Sequence, residues 1–243
     1  MIQLTLPLST PEHLTFGSLV VHPGIEEAQR VLRSMYGGPG PCPSQLFLFG
    51  ESGTGKTHIL KAVGTLIDSA AVSDQGKVEY TVPPGRDGFD RLERLVSESV
   101  DGLRGIAGVI VDDIHLLRPE DEPHLWSLSN KLVRLGRPLM TASIQGPETL
   151  FSANPHLLSR IRGGLVFRLD APEDEARFLI LDKMARDRNI SLSPDVRNYL
   201  VTRKGRNVKQ LAHIVEILDL ESLRFKRRIT IPFVRGLEKE GLV

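Results

Sequence analysis

Gln45-Leu46-Phe47-Leu48-Phe49-Gly50-Glu51-Ser52-Gly53-Thr54-Gly55-Lys56-Thr57-His58-Ile59-Leu60 is the most informative segment of the chain. It opens as an apolar run of strand character, passes through Gly50-x-x-x-x-Gly55-Lys56-Thr57, and continues into a helix. That spacing, between a strand and a helix, is the context in which a loop binds a nucleoside di- or triphosphate. Gly50, Gly53 and Gly55 let the backbone turn so that its N–H groups and the positive end of the helix point at phosphate. Lys56 is placed to reach the β- and γ-phosphates, and Thr57 to offer its hydroxyl to Mg2+, so ADP or ATP with Mg2+ is the expected cofactor.

Outward from this loop, strands and helices alternate. Before it, Ile25 to Met35 carries apolar residues at helical spacing, and Gly37-Gly38-Pro39-Gly40-Pro41 breaks the chain. After it, strands are expected over Val78–Val82, Gly108–Asp112, Leu139–Ser143 and Leu165–Leu169. Helices are expected between them over Phe89–Val100, Leu125–Leu135 and Pro155–Ile161. Such alternation predicts an α/β fold, a parallel sheet with helices on both faces. From Glu173 the pattern is helical throughout, over Asp174–Arg188, Ser193–Thr202 and Val208–Phe225, which predicts a small all-helical second subdomain.

Val109-Ile110-Val111-Asp112-Asp113 is an apolar strand ending in two carboxylates. In isolation an Asp pair is a strand end leading into a helix. Beside a phosphate loop it reads as chemistry, with Asp112 serving the metal and Asp113 orienting the attacking water. Thr141 and Ser143 end the next strand, where a hydroxyl could touch the γ-phosphate or the water, although strand ends also use such residues for turns. Arg160 lies between apolar positions in Leu157-Leu158-Ser159-Arg160-Ile161-Arg162, a spacing that suits a solvated surface or an arginine finger, a guanidinium given to transition-state charge on phosphate. Lys209, in Gly205-Arg206-Asn207-Val208-Lys209-Gln210-Leu211, opens a helix and could fold over the phosphates or remain an exposed helix lysine.

Composition narrows the setting. With 243 residues, 40% hydrophobic and 25% charged, the chain can bury one large core or two small ones. Lys and Arg total 31 against 30 acidic residues, so any nucleic-acid contact would be local rather than a property of the whole surface. The single Cys42 forms no intrachain disulfide, which suits a reducing cytoplasm. No signal-peptide pattern and no run of about 20 apolar residues points to export or a membrane.

Together the motifs resemble those of an AAA+ P-loop NTPase and, more narrowly, the relatives of DnaA, the bacterial replication initiator, over nearly the whole chain. Thr15-Phe16 with Leu19-Val20-Val21 is similar to the segment leading into the adenine pocket of that family, which implies a base contact at Val21. Gly55-Lys56-Thr57-His58-Ile59-Leu60 and Asp112-Asp113-Ile114-His115-Leu116-Leu117 resemble its two Walker motifs, which places His58 with the cofactor-binding residues. Ser159-Arg160 matches its arginine-finger box and Gly205 to Leu211 its sensor-2 helix. Lys209 stands where the family usually carries Arg, and Ser143 where its sensor-1 strand end carries an acid.

The start and the end refine the resemblance. Gln3-Leu4-Thr5-Leu6-Pro7-Leu8 is similar to the sliding-clamp-binding peptide of Hda, a family of DnaA homologues without the DNA-binding domain. Pro7 would stiffen it, Leu4, Leu6 and Leu8 would insert into an apolar pocket, and Gln3 would satisfy the rim. By period alone Ile2, Leu4, Leu6 and Leu8 also suit an edge strand. The tail Arg228-Ile229-Thr230-Ile231-Pro232-Phe233-Val234 resembles the Hda ending. No helix-turn-helix pattern follows, so sequence-specific DNA binding is not expected. The basic run Arg224-Phe225-Lys226-Arg227-Arg228 suits either phosphate or the end of a helix.

The expected organisation is a clamp-binding segment over 1–10, an α/β nucleotide-binding subdomain over 11–171 and a helical lid over 172–243. The resemblance implies a cytoplasmic regulator, brought to the nucleoid by the clamp, that stimulates hydrolysis of DnaA-bound ATP through Arg160 acting in trans. It also implies possible self-association through the Arg160 face. Two other readings remain open: a self-assembling ATPase or helicase-loader-like protein, and a nucleotide-locked clamp adaptor without catalytic effect.

Overall fold

The computed structural model describes residues 14–38, 40, 42–70, 76–81, 90–91, 94–95, 97–151, 154–203 and 207–243. Five strands, β1 (Gln45–Phe49), β2 (Lys77–Thr81), β3 (Ile106–Val111), β4 (Leu139–Ser143) and β5 (Leu165–Arg168), form one sheet in the order β2-β3-β4-β1-β5. Every pairing is parallel. The central strands are apolar almost continuously because both sheet faces are covered.

On one face, α1 (Pro23–Gly37) and α2 (Lys56–Ala70) pack Ile25, Leu32, Ile59 and Val63 against Leu46, Leu48 and Ile110. On the other, α3 (Glu122–Arg134) and α5 (Pro155–Arg162) bring Leu125, Leu128, Leu157 and Ile161 onto Phe47, Val109 and Val111. The one-turn helix α4 (Pro147–Leu150) lies between β4 and α5. Alternate residues of β1 thus enter opposite cores, as the two-residue strand period requires. Described residues of the stretch expected as a helix over Phe89–Val100 are helical at 90, 91, 94, 95 and 97, and Leu95 enters the second core.

The boundaries differ from expectation in instructive ways. The strand expected over Gly108–Asp112 spans Ile106–Val111 instead, because Asp113 turns into the left-handed region and ends it. The backbone N–H of Asp112 still donates to the Thr81 carbonyl at 3.0 Å, so the ladder continues one residue past the strand. Val82, expected to end the second strand, lies outside the described residues.

Beyond β5 come α6 (Asp174–Asp187), α7 (Pro194–Arg203), α8 (Val208–Phe225) and α9 (Ile231–Lys239). Leu181, Leu200, Leu211, Val215, Leu218 and Val234 form their own core. Helix α9 is absent from the sequence expectation. Its signal was present: the Thr230 side chain accepts from the Phe233 amide, and Pro232 sits in the first turn, where a missing N–H costs nothing. Among the described residues, no helix is long and apolar enough to cross a membrane. Residues 1–10, expected as a clamp-binding segment, lie outside the described residues.

Candidate nucleotide-binding site

The sheet order sets the position of the site. From β1 the chain crosses to β2 at one edge and later returns to β5 beside β1, so the carboxyl ends of β3, β4 and β1 meet at a change of winding direction. Ligands of open parallel sheets bind at such points. The loop after β1 and the acids after β3 therefore face each other across the end of β4.

Gly50 leaves β1 with φ 147°, and a Cβ there would lie 2.1 Å from the Leu169 carbonyl oxygen. Its own N–H donates to the Ser143 carbonyl at 3.3 Å, while Leu169 N–H donates to Phe49 O at 2.7 Å. The loop is thus clamped between β4 and β5 at a place with no room for a side chain. Gly53 and Gly55 follow with φ 84° and 93°. A Cβ on Gly53 would come within 3.1 Å of the Val208 amide nitrogen and 3.3 Å of that of Lys209, so the start of α8 lies directly against the loop.

Lys56 curls back over this loop. Its Nζ donates to the carbonyls of Gly50 and Glu51, both at 2.7 Å, and the residue is 6% exposed. Burial pulls its pKa below the usual lysine range, opposed by the charges of Asp113 and Asp112. Among the described residues, the backbone N–H groups from Ser52 to Gly55 donate to no protein acceptor. A buried ammonium resting on its own loop carbonyls, beside free amides and glycines that leave space, is a donor set suited to a polyphosphate.

Asp112 is 1% exposed and accepts three hydrogen bonds: from Thr57 Oγ1 at 2.7 Å and Tyr80 OH at 3.0 Å on Oδ2, and from the Asp113 amide at 2.9 Å on Oδ1. Thr57 and Asp112 set a hydroxyl and a carboxylate side by side, oxygen ligands of the hardness Mg2+ prefers. Asp113 adopts φ 50°, ψ 40°, a conformation that costs a non-glycine residue of order 1–3 kcal/mol and that turns its carboxyl away from the line of the strand. Burial raises its pKa, helped by neighbouring Asp112 and opposed by His115, Lys56 and Lys209. Tyr80 is pushed well above the usual tyrosine value by burial and by the Asp112 carboxylate it serves, so its phenol stays a donor.

The other expected residues take several positions. His58 Nε2 lies 2.9 Å from the Thr15 carbonyl and 3.0 Å from Ser18 Oγ, so its ring ties the segment before α1 to α2. Val21 follows that segment and is 41% exposed. Lys209 is exposed at the start of α8, close enough to Asp113 to act on its charge. Thr141 spends its hydroxyl inside the sheet on the Leu46 carbonyl at 3.2 Å. Ser143 Oγ accepts from the Gln145 amide at 2.9 Å, the turn chemistry of a strand end. The basic run near Phe225 suits a helix end: Arg224 pairs with Glu221 at 3.4 Å and Lys226 closes α8 in the left-handed region.

Arg160 sits on the face of the sheet opposite α1 and α2. Its Nη2 donates to Asn130 Oδ1 on α3 at 2.5 Å, and among the described residues it pairs with no carboxylate. The neighbouring Arg162, by contrast, is held by Glu148 at 3.0 Å. Tyr80 and Asn130 were not singled out by the sequence. Each lies in another element, about thirty residues from its partner, and only the sheet order and helix packing bring them there. Gln3, Leu4, Leu6, Pro7 and Leu8 lie outside the described residues.

A five-stranded parallel sheet in this order, a phosphate loop after β1, paired acids after β3 and a helical lid against the loop define an AAA+ fold of the P-loop class. Residues 11–168 match the family of bacterial DnaA ATPase domains, and residues 174–237 match the Hda lid domain. The chain belongs to the DnaA-related AAA+ proteins of Hda type. Among solved structures, domain III of Thermotoga maritima DnaA superposes with a TM-score of 0.79 at 23% identity, over 94% of this chain and 97% of that one. Aquifex aeolicus DnaA bound to AMPPCP gives a TM-score of 0.68 at 23% identity, covering 89% of this chain and 69% of that one. A Thermotoga maritima RuvB mutant gives 0.66 at 15% identity, over 93% and 71%.

Proposed function

We propose that this protein is a nucleotide-dependent regulator of replication initiation that docks on the sliding clamp and stimulates hydrolysis of ATP held by DnaA. One observation carries the reading: the Arg160 guanidinium is presented on α5 by a neutral amide, without a carboxylate partner among the described residues. The family membership supports DnaA as the target, since a DnaA-type neighbour presents a nucleotide to which such a guanidinium could be given.

The chain's own crevice would hold ADP or ATP with Mg2+. Lys56 would leave the Gly50 and Glu51 carbonyls for phosphate oxygens, and the N–H groups of the loop would complete the cradle. Thr57 and Asp112 would hold the metal, which supplies positive charge against the phosphates, and Asp113 would orient water. Because α8 touches the loop at Gly53, an occupied crevice would also set the angle between sheet and lid. Arg160 would exchange its Asn130 bond for the γ-phosphate of the DnaA-bound nucleotide, supplying charge stabilisation in trans.

The test is hydrolysis of ATP pre-bound to purified DnaA, with DNA-loaded clamp, comparing the intact chain with one lacking residues 1–8. Acceleration by the intact chain that is lost on deletion is the expected result. No acceleration under any clamp condition would sink the reading. Turnover by this protein alone that rises with its concentration would point to the self-assembling ATPase instead.

A further inference from the structure

Asp112 accepts three hydrogen bonds, and one of its partners comes from outside the sequence motif. Oδ2 accepts from Thr57 at 2.7 Å and from Tyr80 at 3.0 Å, while Oδ1 is taken by the Asp113 amide. Tyr80 belongs to β2, the edge strand next to β3, and pairs in register with Ile110. Its ring packs beside the α1–α2 core, and its hydroxyl reaches past β3 to the residue that follows that strand. Above the ring stands Lys61, whose Nζ is 4.6 Å from the ring centroid. Lys61 is four residues after Thr57 on α2, so both lie on the same side of that helix. Helix α2, strand β2 and the end of β3 therefore converge on one carboxylate oxygen.

We propose that Tyr80 is a positioning residue for the metal-binding acid: its phenol holds Asp112 in the orientation that meets Mg2+, with Lys61 acting through the ring. The inference rests on the nucleotide-site reading above and deepens it. Without the phenol, Oδ2 would keep Thr57 as its one donor beside the Asp113 amide on Oδ1, about a χ2 torsion that is broad for aspartate. A second donor on the same oxygen, rooted in a different strand, removes that freedom, so the unpaired directions of the carboxylate stay aimed at the crevice. Partners of this kind behind a metal ligand typically change metal affinity by about 10–100-fold. A cation over the ring draws electron density from it and makes the phenol a stronger donor, so Lys61 acts in the same direction with a smaller effect.

The hypothesis separates from simple packing because Tyr80→Phe keeps the ring and removes only the hydroxyl. The experiment titrates Mg2+ against binding of a fluorescent ADP analogue, for wild type, Tyr80→Phe and Lys61→Met, with a parallel measurement in EDTA. For Tyr80→Phe the Mg2+ concentration giving half of the affinity gain rises about tenfold, while affinity in EDTA stays at the wild-type value. Lys61→Met shifts the same midpoint by a smaller factor in the same direction. An unchanged Mg2+ midpoint in Tyr80→Phe, beside a wild type that responds to Mg2+, overturns the inference alone. Equal losses with and without Mg2+ also overturn it, since they assign Tyr80 to packing. A wild type that binds no nucleotide overturns the site reading and this inference together.

Discussion

In the crevice after β1, the cation is closed in on its own chain: Lys56 donates to two loop carbonyls, and Asp112 opposite it accepts three hydrogen bonds. On α5, Arg160 has one side-chain bond among the described residues, to a neutral amide, and a partly buried position. The crevice satisfies its charges internally, so a ligand entering it must exchange one set of bonds for another of similar geometry. The Arg160 face leaves a full positive charge without a counter-charge among the described residues, which is what the proposed function asks of a guanidinium given to an anionic partner.

The sharpest way to break this contrast is Arg160→Ala. Under the proposed function, stimulation of DnaA-bound ATP hydrolysis falls by about 10³-fold or more, in the range of a finger supplied in trans. Affinity of the chain's own site for ADP stays unchanged, because Arg160 shares no bond with the loop. Retained stimulation in this variant would remove Arg160 from the mechanism.

Gly50→Ala probes the closed side. The new Cβ would meet the Leu169 carbonyl at 2.1 Å, at a φ of 147° that other residues rarely adopt. A loss of about 2–4 kcal/mol in folding stability is expected, read as a lower urea midpoint with an unchanged slope. A midpoint at the wild-type value would mean that the loop yields easily, against the picture of a clamped crevice.

Asn130→Asp sharpens the comparison with a smaller change. It places a carboxylate where the neutral amide now holds Arg160, converting the open face into a closed ion pair. Stimulation of DnaA-bound ATP hydrolysis should drop by up to about fivefold, the equivalent of roughly 1 kcal/mol for breaking a partly exposed pair before the guanidinium can leave. Full stimulation in this variant would show that the amide plays no part in presenting Arg160.

Much of the molecule is legible in its sequence. Strand β4 and helix α8 have the bounds that apolar runs and turn residues marked, and the alternation of strands and helices gave the parallel sheet. What escaped has physical reasons. Helix α9 is nine residues long and starts at a Thr-x-Pro signal outside the regular pattern. Thr141, by position open to a phosphate or to turn chemistry, takes neither role: its hydroxyl donates to the Leu46 carbonyl in the neighbouring strand. The contacts of the His58 ring with Thr15 and Ser18 span about forty residues, so no local pattern announces them.

The residues that line the crevice are set locally in the chain: glycines at loop positions with positive φ, a lysine and a threonine at the start of α2, and two acids at the end of an apolar strand. Those are local requirements, since each depends on neighbours within a few residues. Packing of distant elements sets which donors close around Asp112, brings α8 against the loop at Gly53, and rests Arg160 on Asn130. Those contacts join elements far apart in the chain, and parallel crossover connections let β2 and β3 become neighbours without any signature in the residues that will meet.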